Sequence, residues 1–174
     1  NRDYFLCVGR LEEQKAFHHA IKAFAKISKE YPKIRLKIVG IGKLENSLKS
    51  LTKELNIENK VDFEGFQKNM ISYYIGAKAT LLTSLYEGFP NVLVESITLG
   101  TPIISFDCQS GPKEIIKQEE NGYLVEYQNI NQLEEYMKLM ITKDFDNKRI
   151  LEQSKIYTLE NTILKYENVI KEFI

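Results

Sequence analysis

Short apolar runs alternate with longer amphipathic ones along this chain, and that alternation restricts the available folds more than any other feature. DYFLCVG (3–9), RLKIVG (35–40), KVDFEG (60–65), ATLLTS (79–84) and PIISF (102–106) read as strands, with a sixth at GYLV (122–125). Between them, KAFHHAIKAFAKISKEY sets Phe17, Ala20, Ile21, Phe24, Ala25 and Ile27 near helical spacing and stops at Pro32. LENSLKSLTKEL and NMISYYIGA supply the next two helical crossovers. Nearly continuous apolar strands joined by such crossovers predict a parallel sheet covered on both faces. The expected fold is α/β: a doubly wound, Rossmann-like sheet of about six strands. After the sixth strand, INQLEEYMKLMI and TLENTILKYENVIKEF read as amphipathic helices joined by a polar stretch. Residues 1–174 are therefore expected to form one domain, with a core at 1–126 and C-terminal helices at 127–174 that pack on the sheet edge or on something outside the chain.

Composition narrows the ligands. The 24 Lys and Arg balance the 24 Asp and Glu, so no basic field gathers nucleic acid, and the tyrosines and phenylalanines form no array along a basic stripe. An anionic ligand has to be held by a local site. No apolar window approaches the roughly 20 residues of a membrane span, so a soluble protein is expected. Cys7 and Cys108 lie inside apolar runs, where buried free thiols are expected, and this fits a reducing cytoplasm. The sequence enters a strand soon after Asn1, as expected of a piece of a longer protein.

In doubly wound sheets, ligands bind beyond the carboxyl ends of the strands. Strand one is followed by Arg10 and Lys15, strand two by Gly40, Ile41 and Gly42, strand four by Glu87, Gly88, Phe89, Pro90 and Asn91, and strand five by SGPKEII. Pro90 suits the first position of a helix, which Gly100 and Pro102 stop about ten residues later. The free amides and the dipole at such a helix start favour an anion, phosphate above all. Gly88 lets backbone approach the ligand, Arg10 can fork onto two oxygens of a diphosphate, and Lys15 acts as a point charge. Glu87 and Glu95 would repel phosphate and need another task, for which sugar hydroxyls are suitable. Glu95 shares a helix side with Asn91 and Val92, and helical side chains tilt toward the N-terminus, so its carboxylate can return to a ribose. Glu87, in the loop, stands where a transferred sugar would lie. Either acid alone could be a solvated surface charge, but together with Arg10 and Lys15 they form a site.

VGRLEEQK (8–15), GIGKLEN (40–46), VDFEGF (61–66), TSLYEGFPNVLVES (83–96), GTPIIS (100–105), SGPKEII (110–116) and NGYLV (121–125) resemble, in order, the motifs of the C-terminal, donor-binding domain of retaining family-4 glycosyltransferases (glycosyl transferases group 1). The resemblance covers nearly the whole chain, and its most specific part is the pair Glu87 and Glu95 with Gly88, Phe89 and Pro90 between. It implies one half of a GT-B enzyme, the other half being the protein's own N-terminal acceptor domain. It further implies a nucleotide-diphosphate sugar as donor, with uridine diphosphate expected, and a glycan or lipid-linked acceptor in surface polysaccharide or glycoconjugate synthesis. By the same resemblance Arg10 and Lys15 grip the diphosphate, the amides of Gly88 to Val92 support it, Glu95 holds the ribose, Glu87 positions the sugar, and Gly65 and Phe66 pack the nucleobase. Transfer would be metal-independent and cytoplasmic, at the inner membrane face through peripheral association of the other domain, and the isolated chain would bind without efficient transfer. Two alternatives share these features: a sugar-nucleotide epimerase of the same architecture, and a non-catalytic nucleotide-sugar-binding module.

The chain departs from the family pattern at Ala16, where glycine is usual, and at Lys43, where proline is common. A nicotinamide-dependent dehydrogenase is disfavoured because strand one leads into VGRLEEQ and not a Gly-x-Gly-x-x-Gly turn. Adjacent helix residues point about 100° apart, so His18 and His19 are expected to serve as surface or packing residues and not as a paired site. Asp144-Phe145-Asp146 imitates an Asp-x-Asp metal signature, but it lies away from any strand end, where aspartate is an ordinary helix-start residue.

Overall fold

In the computed structural model the described residues are 2–158, 160, 161 and 163. Six strands form, β1 (Tyr4–Val8), β2 (Arg35–Val39), β3 (Val61–Gly65), β4 (Ala77–Leu82), β5 (Ile103–Phe106) and β6 (Gly122–Val125), each within about two residues of its expected place. They make one all-parallel sheet in the order β3-β2-β1-β4-β5-β6. The chain thus winds outward from β1 to β3, returns to the other side of β1, and winds outward again to β6. The crevice at the reversal lies between β1 and β4.

Side chains alternate across the sheet as a period of two requires. Phe5 and Cys7 of β1, Leu36 and Ile38 of β2, Ala79 and Leu81 of β4 and Ile104 and Phe106 of β5 enter one core layer. That layer is covered by α1 (Phe17–Glu30), α2 (Glu45–Glu54) and α6 (Ile130–Thr142), whose Phe17, Ile21, Phe24, Leu48, Leu133 and Met137 are buried in it. Each large apolar side chain removed from water there contributes about 1.5–3 kcal/mol. On the opposite face α3 (Ile71–Gly76) and α4 (Asn91–Thr98) lay Tyr74, Leu93 and Ile97 over Tyr4, Leu6, Leu82 and Ile103.

Two helices differ from expectation. The stretch read as a polar joint contains α7 (Asn147–Ser154), which buries Ile150 beside Leu93 and Ile97 of α4. One buried apolar side chain gives too little periodicity to reveal a helix, and its start is fixed instead by Asp146, whose carboxylate accepts from the amides of Lys148 and Arg149. A single turn, α5 (Pro112–Ile115), occupies SGPKEII. Helix α6 lies on a face of the sheet and shares the main core with α1, so the packed body continues past residue 126. The helix read at 158–173 lies largely outside the described residues. No helix among the described residues is long and apolar enough to cross a membrane.

Candidate functional site

The sheet order makes β1 and β4 neighbours, and their following loops are stitched together. The amide of Leu85 donates to Gln14 O at 2.8 Å, Gln14 Nε2 donates to Tyr86 O at 2.9 Å, and Thr83 Oγ1 lies 3.1 Å from Lys15 O and 3.2 Å from Ala16 O. This brings Lys15 and Glu87, 72 residues apart, into an ion pair with Nζ 2.7 Å from Oε1. Ser84 Oγ donates to the same oxygen at 2.6 Å. The two charged side chains are only 14% and 7% exposed, so Glu87 is no solvated loop charge. The sequence had assigned these residues to different parts of a ligand, whereas the folded chain joins them directly.

Ala16, between Lys15 and α1, has φ 44° and ψ 41°, a left-handed conformation that costs a non-glycine residue about 1–2 kcal/mol. This is the physical content of the departure from glycine there. Lys43, the other departure, pairs with Glu12 across the neighbouring loops.

Gly40 and Gly42 are explained inside the chain. A Cβ on Gly40 would stand 1.9 Å from Gly9 O, and one on Gly42 would stand 2.5 Å from Leu11 O. Their lack of side chains lets the loop after β2 lie against the loop after β1, where Leu11 donates to Ile41 O and Leu44 donates to Leu11 O. Close packing of these two loops demands both glycines.

Gly88 is different, because a Cβ there would meet nothing within 4 Å. Gly111, with φ +91°, presses against this turn, its own Cβ position only 2.4 Å from Pro90 Cδ. Pro90 caps α4 and does not occupy its first turn, so the helix begins at Asn91. Asn91 donates to Phe89 O and Leu93 to Pro90 O, while the amides of Gly88, Phe89 and Val92 have no partner among the described residues. Val92 is in the first turn of α4 and Gly88 and Phe89 precede its cap, a stretch where free amides and the helix dipole favour negative charge. Arg10, in the adjoining loop, is exposed and makes no side-chain hydrogen bond or ion pair among the described residues.

Farther along α4, Glu95 is exposed and accepts a hydrogen bond at Oε2 from the hydroxyl of Tyr74, 2.7 Å away. The two flank a depression of about 610 Å³ bounded by Lys68, Asn69, Met70, Ile71, Thr98 and Leu99. Gly65 (φ +65°) ends β3, and Phe66, two residues before Lys68 in the chain, has 72% of its surface exposed. Burial, and then the neighbouring Glu95 carboxylate, push the Tyr74 hydroxyl far up, so it stays a donor.

Both cysteines are buried and free. Burial raises the Cys108 thiol, and Glu87 close by raises it further. The histidine rings do meet, with centroids 4.1 Å apart and tilted 52°, which corrects the argument from helical angle: side-chain torsions fold one ring toward the other. His19 nonetheless packs edge-on against Phe106, and burial, with His18 and Lys22, lowers it to about 4. Asp146 is occupied as a helix cap.

Sequence reasoning missed Ser84, Thr83 and Tyr74. Ser84 sits three residues before Glu87 inside the quoted motif and could have been suspected as its partner. Nothing local pointed to Tyr74, whose role depends on how α3 packs against α4.

Fold and site together define a Rossmann-like α/β domain whose switch point carries the mostly buried Lys15–Glu87 ion pair beside the start of α4. The family model for Glycosyl transferases group 1 matches residues 1–156, and the chain belongs to that family. An uncharacterized glycosyltransferase of Haemophilus influenzae is 33% identical over 171 residues, covering 95% of this chain and 48% of that protein. The N-acetylgalactosamine-N,N'-diacetylbacillosaminyl-diphospho-undecaprenol 4-alpha-N-acetylgalactosaminyltransferase of Campylobacter jejuni is 36% identical over 141 residues, covering 81% of this chain and 38% of that one. The solved apo structure of the lipopolysaccharide outer core galactosyltransferase WaaB superposes with a TM-score of 0.90 at 28% identity, over all of this chain and 50% of that one. The chain thus spans about half or less of the length of these relatives. Its fold is that of one half of a GT-B glycosyltransferase.

Proposed function

We propose that this chain is the donor-binding half of a retaining glycosyltransferase that takes a sugar from a nucleotide diphosphate, uridine diphosphate by family resemblance. The acceptor would be a glycan or a lipid-linked glycan; the Campylobacter relative, by its name, acts on a diphospho-undecaprenol-linked substrate. The supporting observation is the Lys15–Glu87 ion pair, which joins the loop after β1, where Arg10 also stands, to the loop after β4 and the start of α4, where the amides of Gly88, Phe89 and Val92 have no partner among the described residues. In this reading Arg10 and those amides hold the diphosphate. Lys15 lies between the phosphates and Glu87, and so keeps the carboxylate from repelling them. Glu95 takes the ribose, and Gly65 and Phe66 adjoin the base.

As the bond to the sugar breaks, negative charge grows on the departing phosphate oxygens, and preorganised donors stabilise it at little reorganisation cost. In this reading those donors stabilise the leaving group without a metal ion. Glu87 Oε1 already accepts from Lys15 and Ser84, which makes the carboxylate a weaker nucleophile than a free one. That favours attack on the same face as the leaving group, with the phosphate accepting the proton of the acceptor, and leaves Glu87 to position the sugar. The other half of the enzyme would supply the acceptor site and any association with the inner membrane face.

A thermal-shift screen of the chain against uridine, guanosine and adenosine diphosphate sugars tests the reading, because a ligand of the folded state raises its melting temperature by mass action. One nucleotide should raise the melting temperature. A folded sample indifferent to all of them at millimolar concentration would overturn the proposal.

A further inference from the structure

The hydroxyl of Tyr74 has no part in the packing of its ring. The side chain is 1% exposed and its ring fills the layer of Tyr4, Leu6, Val39 and Ala77. Its oxygen emerges at the depression beside α4 and meets Glu95 Oε2 at 2.7 Å. Glu95 Oε1 has no partner among the described residues. Backbone on both sides fixes the tyrosine further, since Thr101 Oγ1 donates to Tyr74 O at 2.7 Å and the Tyr74 amide donates to Met70 O at 3.1 Å. An exposed glutamate on a helix ordinarily samples several rotamers, and holding one of them costs entropy when a ligand binds.

We propose that Tyr74 is the positioning residue of the site: by tethering Oε2 from a fixed ring, it holds Glu95 with Oε1 turned to the ribose hydroxyls of the nucleotide. The inference rests on the donor-binding reading above. Tyr74 touches no ligand itself, and its contribution is preorganisation of the carboxylate. A charge-assisted hydrogen bond is stronger than a neutral one and more directional, which suits it to this task.

The experiment measures affinity by calorimetry on the full chain. It uses whichever of uridine, guanosine or adenosine diphosphate binds tightest, together with the 2',3'-dideoxy form of the same nucleotide. Wild type should prefer the ribose form. Tyr74→Phe, which keeps the ring, should weaken the ribose form about 2- to 13-fold and leave the dideoxy form unchanged, the range expected when binding has to order one free side chain. In a Glu95→Ala background, Tyr74→Phe should have no further effect. Equal weakening of both ligands by Tyr74→Phe, or no weakening of either, overturns the positioning role while leaving the donor reading intact. Equal wild-type affinity for both forms overturns the ribose role of Glu95 and this inference with it. Failure of all three nucleotides to bind folded wild type overturns the donor reading itself.

Discussion

Replacing Lys15 by methionine is the most informative single change to the stability of this fold. At 2.7 Å, with an effective dielectric constant near 20, the gross attraction between Lys15 and Glu87 is about 6 kcal/mol, and desolvation of the two ions cancels several kcal/mol of it. Removing one partner forfeits the attraction and leaves the other charge desolvated, at about 3–5 kcal/mol when it cannot reach water. Glu87 is in that position: it is short, 7% exposed and held by Ser84. Lys15, by contrast, has a four-carbon stem that can turn its ammonium outward. Lys15→Met should therefore cost about 3.5 kcal/mol and Glu87→Gln about 1.5, whereas the double variant should cost about 2, a coupling near 3 kcal/mol. Urea unfolding followed by far-ultraviolet circular dichroism, with equal m-values across the set, reads these numbers. A Lys15→Met cost below about 1 kcal/mol, or a double variant equal to the sum of the singles, would refute the claim that the pair is desolvated.

Other perturbations separate packing from function. Gly40→Ala forces a Cβ to within 1.9 Å of Gly9 O and should destabilise by more than about 3 kcal/mol, while Gly88→Ala should leave unfolding within about 0.5 kcal/mol and weaken nucleotide binding, both read by melting curves with and without nucleotide. His19 is neutral in the folded state, being lowered from 6.5 to about 4, so the unfolded chain takes up its proton first. Stability due to His19 is thus full above pH 6.5 and falls toward pH 4, and His19→Gln should flatten that part of a melting-temperature profile. Asp146→Ala removes the cap of α7 and should cost about 1 kcal/mol in the same urea assay, with nucleotide affinity unchanged.

The alternation of apolar runs sufficed to determine six strands, their parallel sense and the principal helices, because that periodicity is imposed by burial on two faces of one sheet. The order of elements was also legible: Arg10 and Lys15 follow β1, and Glu87 and Gly88 follow β4, so all four fall in loops at the carboxyl ends of strands, while Glu95 lies within α4. The C-terminal portion was less readable, since α7 buries a single large apolar residue and owes its start to one aspartate. What glycine was for could not be inferred from its presence, as Gly40 and Gly42 serve loop packing while Gly88 faces open space.

By itself, then, the sequence determined the kind of layer each segment joins and the kinds of groups at one edge. Tertiary structure decided which groups meet. No local pattern states that β4 returns beside β1, yet that order alone sets Lys15 against Glu87, just as α3 lying on α4 alone sets Tyr74 against Glu95. Hydrophobic burial is non-directional and is written in composition and period. Hydrogen bonds and ion pairs reach only a few ångströms, so their partners are fixed by the path of the whole chain.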